Sequence, residues 1–310
     1  ALPISIPSPL PSTDADAVAR VMGELRPSVI INCAGYNAVD AAETHPVDAL
    51  QANAFAVRAL ARAARAAGIP FTLATGSITA MERVADEAGG ELWFQLYMWP
   101  DRSLSHELVN RAKAAGYKAL IVTVDGVSSG NREYNIRNGF TIPFSFSPRN
   151  VWDMMTHPRW LLGTMMRYLV TTGMPMYANY PAAAKAKMTK GPMGRSSLRT
   201  DSISWGDLDA LRKIWPHKLI VKGVLDAQDA ATAVDHGADG IDVSNHGGRN
   251  LDGIVSPIEV LPEIVDAVGK RATIFMDSGI RRGSDIVKAL ALGANACMVG
   301  RSTLYGVAAG

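Results

Sequence analysis

The sequence predicts an α/β protein, a single (β/α)8 TIM barrel, and three observations carry that prediction. Short β-branched or apolar runs alternate with helix-length amphipathic segments along most of the 310 residues, joined by short turns. About eight such strand-like runs occur, the number that closes a barrel. Polar side chains gather at the carboxyl ends of these runs, where the loops of a barrel open onto one face.

Residues 1–12 read as an irregular lead-in, because Pro3, Pro7, Pro9 and Pro11 deny the backbone a regular hydrogen-bonded element. From Asp14 a helical pattern puts Ala17, Val18, Val21, Met22 and Leu25 on one face and ends at Pro27. Ser28 to Asn32 then reads as the first buried strand. The loop Cys33-Ala34-Gly35-Tyr36-Asn37 follows, with an alanine-rich helix over 46–67 that Gly68 and Pro70 stop. Further strands are expected over 71–74, 92–97, 119–125, 219–222, 240–244, 273–277 and 296–299. Helices are expected over 78–88, 104–115, 227–236, 257–268 and 283–292.

A long insertion over 142–200 interrupts the alternation after the fourth strand. Its first half, Val151-Trp-Asp-Met-Met and Trp160 to Val170, has the pattern of an amphipathic helix. Such a segment either rests on a membrane surface, with Arg159 and Arg167 at the headgroups, or packs as a lid on the barrel or another subunit. The second half, Ala182 to Leu198, has no clear period and reads as a mobile segment that closes over substrate. The expected organisation is one barrel over 1–310, with 1–58 an atypical N-terminal segment and 142–200 the insertion.

Hydrophobic residues make up 48% of the chain, enough for a substantial core, while a net charge of +2 gives no reason to expect a nucleic-acid partner. Cys33 and Cys297 fit no metal-ligand or redox spacing, so no metal centre is expected and both read as core residues of a reducing compartment. No run is apolar for the length of a membrane span, and residues 1–10 lack the charged region of a signal peptide. The expected location is the cytoplasm, with peripheral contact to the inner face of the cell membrane through 142–176.

The most informative stretch is Gly240 to Asp252, where the strand pattern of Ile241 and Val243 hands over to Ser244-Asn-His-Gly-Gly-Arg249. A histidine offers a proton acceptor near neutral pH, an arginine a fork for a carboxylate, and paired glycines let backbone approach a ligand. Other strand ends carry Gln95 and Tyr97, Thr123 and Asp125, Lys222, Asp277 and Gly279, then Gly300 and Arg301. Singly each has a bland reading, a solvated end for Lys222 or a helix N-cap for Asp277. Their convergence points to a ligand. Asp277-Ser-Gly-Ile-Arg-Arg-Gly283 and Gly300-Arg301 match the phosphate cradle of the last two barrel loops. Lys222 would then lie near the ring of a phosphate-bearing cofactor, where its charge could stabilise an anionic reduced flavin. Neither a Gly-x-Gly-x-x-Gly turn nor a Gly-x-x-x-x-Gly-Lys loop occurs.

Together Trp93-Phe-Gln-Leu-Tyr97, Gly130-Asn-Arg-Glu133, Val221-Lys222-Gly223, Ser244-Asn-His-Gly-Gly-Arg249 and Asp277-Ser-Gly-Ile-Arg-Arg-Gly283 resemble the FMN-dependent 2-hydroxy acid oxidising enzymes, over about residues 59–306. That family includes glycolate oxidase, lactate oxidase and the membrane-associated L-lactate and mandelate dehydrogenases. The resemblance implies oxidation of a small L-2-hydroxy acid to the 2-keto acid, with FMN as cofactor, a quinone or other acceptor, and a homo-oligomeric assembly. It implies that His246 is the base, that Asp125 stabilises its imidazolium, that Arg249 and Arg132 hold the substrate carboxylate, and that Tyr97 contacts the substrate oxygen. FMN contacts are implied for Gln95, Thr123, Lys222, Ser244, Asp277, Gly279, Arg281, Gly300 and Arg301.

The chain departs from that pattern in three places. Ala74 stands where the family has a flavin-contacting serine, leaving Thr75 as the replacement. No tyrosine precedes Tyr36, although the family has one in its N-terminal segment, and the chain stops at Gly310 without the family's closing helices. Residues 14–58, through Arg26 to Glu43 and Asn53-Ala54, are instead similar to a middle piece of dTDP-4-dehydrorhamnose reductase, an NADPH-dependent Rossmann enzyme. That enzyme's glycine-rich first turn and Tyr-x-x-x-Lys pair are both missing. The chain therefore reads as a fusion, in which Val29 to Asn32 serves as the first barrel strand. Two alternatives follow: an NADPH-dependent sugar-nucleotide reductase, and an inactive flavin-binding barrel remnant.

Overall fold

Seven strands form one parallel sheet in sequential order: β1 (Phe71–Ala74), β2 (Leu92–Tyr97), β3 (Ala119–Thr123), β4 (Lys218–Val224), β5 (Gly240–Val243), β6 (Thr273–Met276) and β7 (Ala296–Cys297). The structure, a computed structural model, describes residues 56–126, 147–158, 161–182, 203–251 and 253–303, with Glu133, Arg137, Lys185 and Lys187 as isolated positions. The expected first strand at 28–32, the segment before it and most of 183–202 lie outside the described residues.

Helix α1 (Ala56–Ala66) leads into β1, while α2 (Met81–Glu87) and α3 (Arg102–Ala114) fill the next two crossovers. Between β3 and β4 come α4 (Pro148–Thr156), a π-helical turn at Leu161–Met166, α5 (Arg167–Thr172) and α6 (Trp205–Ile214). Helices α7 (Ala227–Asp235), α8 (Pro257–Val268) and α9 (Gly283–Ala291) connect the remaining strands. Polar caps set several starts: Asp101 accepts from the Ser103 N–H, Ser147 from the Asn150 N–H, and Asp226 from the Gln228 and Asp229 N–H groups.

Each strand is buried on both faces, which explains its near-continuous apolar sequence. Leu120 and Val122 join the large core between sheet and helices, whereas Ala119 and Ile121 pack with Ile220, Phe275 and Met298 in a smaller cluster on the other face. That second face carries the chemistry. Strand register aligns Tyr97, Thr123, Lys222, Asp242 and Phe275 along one rung.

Strands over 71–74 and 92–97 and the helix over 257–268 lie where the sequence predicts them. β3 stops at Thr123 and not Asp125, because Asp125 leaves the ladder to meet the loop after β5. β4 runs on to Val224 through a register shift at Gly223, whose φ is 103°. β7 ends at Cys297, short of the expected Val299.

The described residues between β3 and α6 include an anchored and an exposed part. Asn179 is fully buried, where its Oδ1 accepts from the Met81 N–H at 2.7 Å and its Nδ2 donates to the Thr79 carbonyl at 2.9 Å. Helix α4, by contrast, has no buried residue, and Trp152 is 71% exposed. Among the described residues this helix is therefore not packed on the sheet as a lid would be.

Candidate active site

Polar groups collect where the inward-facing rung meets the loops after β2 to β6. Gln95 and Tyr97 share one face of β2, opposite Phe94 and Leu96, because side chains alternate along a strand. Gln95 is buried, and its Nε2 donates to Thr123 Oγ1 at 2.8 Å. Thr75 Oγ1 donates to the Gln95 carbonyl at 2.6 Å and accepts from the Tyr97 N–H at 3.4 Å. Both bonds tie Thr75, the residue after Ala74, to β2.

His246 stands at the centre of the cluster. Its Nδ1 lies 2.7 Å from Asp125 Oδ1, and its Nε2 lies 3.3 Å from the Tyr97 hydroxyl. An ionised carboxylate only accepts, so the ring proton belongs on Nδ1 while Nε2 keeps its lone pair and accepts from Tyr97. Asn250 Nδ2 holds the acid in place, donating to the Asp125 carbonyl at 2.9 Å and to its Oδ1 at 3.4 Å. Among the described residues the buried Asp125 Oδ2 has no hydrogen-bond partner, an acceptor in reserve. Gly223 makes room for this carboxylate: a Cβ there would lie 2.6 Å from Asp125 Cβ.

Three consecutive left-handed residues present the histidine, His246 at φ 58°, Gly247 at 68° and Gly248 at 69°. For a histidine that conformation costs about 1–2 kcal/mol. Side-chain anchors offset it: Ser244 Oγ accepts from the His246 N–H at 3.1 Å, Ser278 Oγ from the Gly247 N–H at 2.9 Å, and Asn245 Oδ1 from the Gly248 N–H at 3.1 Å. Ser278 donates in turn to Asp277 Oδ1 at 2.7 Å, tying the β5 loop to the end of β6.

Lys222 is 4% exposed, and its Nζ donates to Ser244 Oγ and to Asp277 Oδ2, both at 2.6 Å. Burial by itself would raise the Asp277 carboxyl, but the Lys222 charge and hydrogen bond, with those from Ser244 and Ser278, hold it below the ordinary carboxylate range. Asp242 moves the other way. Burial first, then the Asp277 charge, pushes its carboxyl well above that range.

Of the residues expected from the sequence, His246, Asp125, Tyr97, Lys222, Ser244 and Asp277 form one connected cluster, with Gln95 and Thr123 beside it. Arg249 is half-buried on the histidine loop, and Arg132 lies outside the described residues. The expected phosphate cradle is looser. Arg281 is exposed, and its N–H and that of Arg282 donate to Asp285 Oδ2 at 3.0 and 2.9 Å. Arg301 reaches to the Gly247 carbonyl at 2.8 Å, while Gly279 faces open space and Gly300 is half-buried. Sequence reasoning misses Asn250, Ser278 and Asp242. The only available signal is Asp242 itself, the one charged residue of β5. Among the described residues no group of His, Cys, Asp and Glu is arranged to hold a metal.

A family model described as FMN-dependent dehydrogenase matches residues 48–310, and one described as RmlD substrate binding domain matches residues 7–75. The (S)-mandelate dehydrogenase of Pseudomonas putida is 47% identical over 251 residues, which cover 81% of this chain and 62% of that protein. An L-lactate dehydrogenase of Pseudomonas entomophila is 44% identical over 250 residues, 80% of this chain and 64% of the relative. The chain thus spans less than two thirds of the length of these curated relatives. Among solved structures, that of the monotopic membrane protein (S)-mandelate dehydrogenase superposes with a TM-score of 0.75 at 43% identity, over 91% of this chain and 70% of that one.

Proposed function

The chain belongs to the FMN-dependent dehydrogenase family, and from that premise we propose that it oxidises a small L-2-hydroxy acid of the mandelate or lactate class to the 2-keto acid. One observation carries the proposal: His246 and Asp125, from the ends of different strands, pair at 2.7 Å with Nε2 turned toward Tyr97.

The donor set fits FMN. A buried ammonium, Lys222, and a buried amide, Gln95, face the same side of the sheet and suit a flat ring edged with carbonyl and nitrogen acceptors. The guanidinium groups of Arg281 and Arg301 and the open backbone at Gly279 suit a phosphate. In this reading Gln95, Thr123, Lys222 and Ser244 hold the ring, while Asp277, Gly279, Arg281, Gly300 and Arg301 hold the chain that ends in phosphate. When bound, FMN supplies a two-electron acceptor.

The protein's own groups do the rest. His246 Nε2 takes a proton from the substrate, and Asp125, already bonded to Nδ1, stabilises the imidazolium that forms. Arg249 and Arg132 hold the substrate carboxylate, and the Tyr97 hydroxyl, 3.3 Å from the base, contacts the substrate oxygen. Titration with FMN is expected to give a yellow protein that bleaches anaerobically on addition of (S)-mandelate or L-lactate. Protein that stays colourless after FMN is added sinks the proposal.

The reading includes a closed (β/α)8 barrel forming a single domain, with residues 28–32 as its first strand. It also includes a homo-oligomeric assembly and a quinone acceptor reached from the inner face of the cell membrane. No helix among the described residues is long and apolar enough to cross a membrane. Peripheral contact is supported by Trp152, Met155, Leu162 and Val170, which are 71%, 65%, 65% and 81% exposed on and after α4. Apolar side chains of this kind bind by entering the headgroup boundary. The double replacement Trp152→Ser with Val170→Ser is expected to weaken flotation with anionic vesicles by about tenfold or more, with flavin binding unchanged. Undiminished flotation would exclude this face as the contact.

A further inference from the structure

Asp242 has no part in the site described so far, yet it occupies the rung of Thr123 and Lys222 and is 0% exposed. Among the described residues neither of its oxygens has a well-aligned hydrogen-bond partner. Lys222 Nζ lies 3.3 Å from Asp242 Oδ2, but its two 2.6 Å hydrogen bonds go to Ser244 and Asp277. Two carboxyl groups therefore share one buried cation, and only one of them is well served. A fully buried ionised carboxylate whose nearest donor is 3.3 Å away and already engaged elsewhere is disfavoured against its neutral form.

Of the surrounding charges, the two carboxylates act in the same direction. Asp277 after β6 and Asp125 after β3 both oppose ionisation of Asp242, and Lys222 on β4 alone favours it. Cys297 on β7 is a further titratable neighbour, and burial followed by the Asp242 charge pushes its thiol up to about 11.

We propose that Asp242 is a positioning residue acting through Lys222: it holds a proton at neutral pH, which leaves the lysine charge to an anion at the strand ends, and its ionisation withdraws that charge. The inference rests on the flavin reading of the site, the anion being the electron-rich ring of reduced FMN. With Asp242 neutral, the trio Lys222, Asp277 and Asp242 carries no net charge toward that ring, whereas ionisation makes it negative. By linkage, negative charge arriving beside Lys222 tightens the hold of Asp242 on its proton.

Infrared difference spectra of wild type against Asp242→Asn, both without flavin, decide the proton. A protonated carboxyl band in the wild type at neutral pH, missing from the variant, is expected; its absence overturns the proposal. In the FMN-loaded proteins the midpoint potential is followed against pH. Where Asp242 titrates, the wild-type slope should be steeper than that of Asp242→Asn by one proton per two electrons, and parallel slopes overturn the action through Lys222.

Thermal melts of Asp242→Asn and Asp242→Val provide an independent readout. A carboxyl raised in the folded state loses the protein stability as pH climbs from the ordinary carboxylate range. Both variants should therefore gain on the wild type as pH rises toward neutral, and a difference independent of pH counts against the proposal. Protein that shows the band but takes up no flavin confirms the proton and removes the flavin reading.

Discussion

Replacing His246 by asparagine is expected to leave the FMN-loaded protein yellow and to slow its anaerobic bleaching by substrate about 10²–10⁴-fold, the range attributed to a positioned base. Asparagine suits the test because it tolerates the left-handed backbone at φ 58°, so the loop conformation is kept while the proton acceptor is removed. Of the groups assigned to the ring, Gln95 bonds to Thr123 and Lys222 to Ser244 and Asp277, so these side chains are held in place without the imidazole. Stopped-flow absorbance separates binding from reduction. A variant that bleaches at the wild-type rate would show that His246 is not the base.

Lys222→Met should have the second large effect, this time on stability and flavin uptake together. It leaves Asp277 and Asp242 facing one another without a cation, and breaking a buried ion pair from one side costs about 3–5 kcal/mol. The pH dependence follows from Asp277, whose carboxyl the Lys222 charge and hydrogen bonds hold low against burial. A depressed carboxyl contributes stability above its unfolded value and loses it as pH falls through the folded one. The deficit of Lys222→Met should accordingly be largest near neutral pH and narrow on acidification, as read by urea unfolding at several pH values. A uniform deficit would mean that lost packing, not lost charge, accounts for it.

The strand ends were legible because a sheet buried on both faces writes short apolar runs between Gly and Pro breaks, as at 71–74 and 92–97. The same two-sided burial hid Asp242, since only alternation of faces tells an inward position from an outward one, and an apolar run suppresses that signal. Polar residues at the ends of β2 to β6 pointed to the site. The pairing of Asp125 with His246, however, spans 121 residues and exists only once the register is fixed. Ser278 and Asn250 were illegible for another reason: in sequence, a serine or asparagine in a turn cannot be told from an ordinary cap. For α4 the apolar pattern was evident but equally suited a lid packed on the same chain, a reading that the exposure of Trp152 argues against.

Because the strands lie side by side in the order in which they are made, the sheet can lengthen at one growing edge as the chain leaves the ribosome. Asp125 emerges first, Gly223 next and His246 last. The nascent wall must carry the acid before its partner exists, and the glycine has to slip in beside it before β5 can dock. The dyad is therefore sealed only after β5 has followed β4, and any side chain at position 223 would obstruct that closure as well as the finished site.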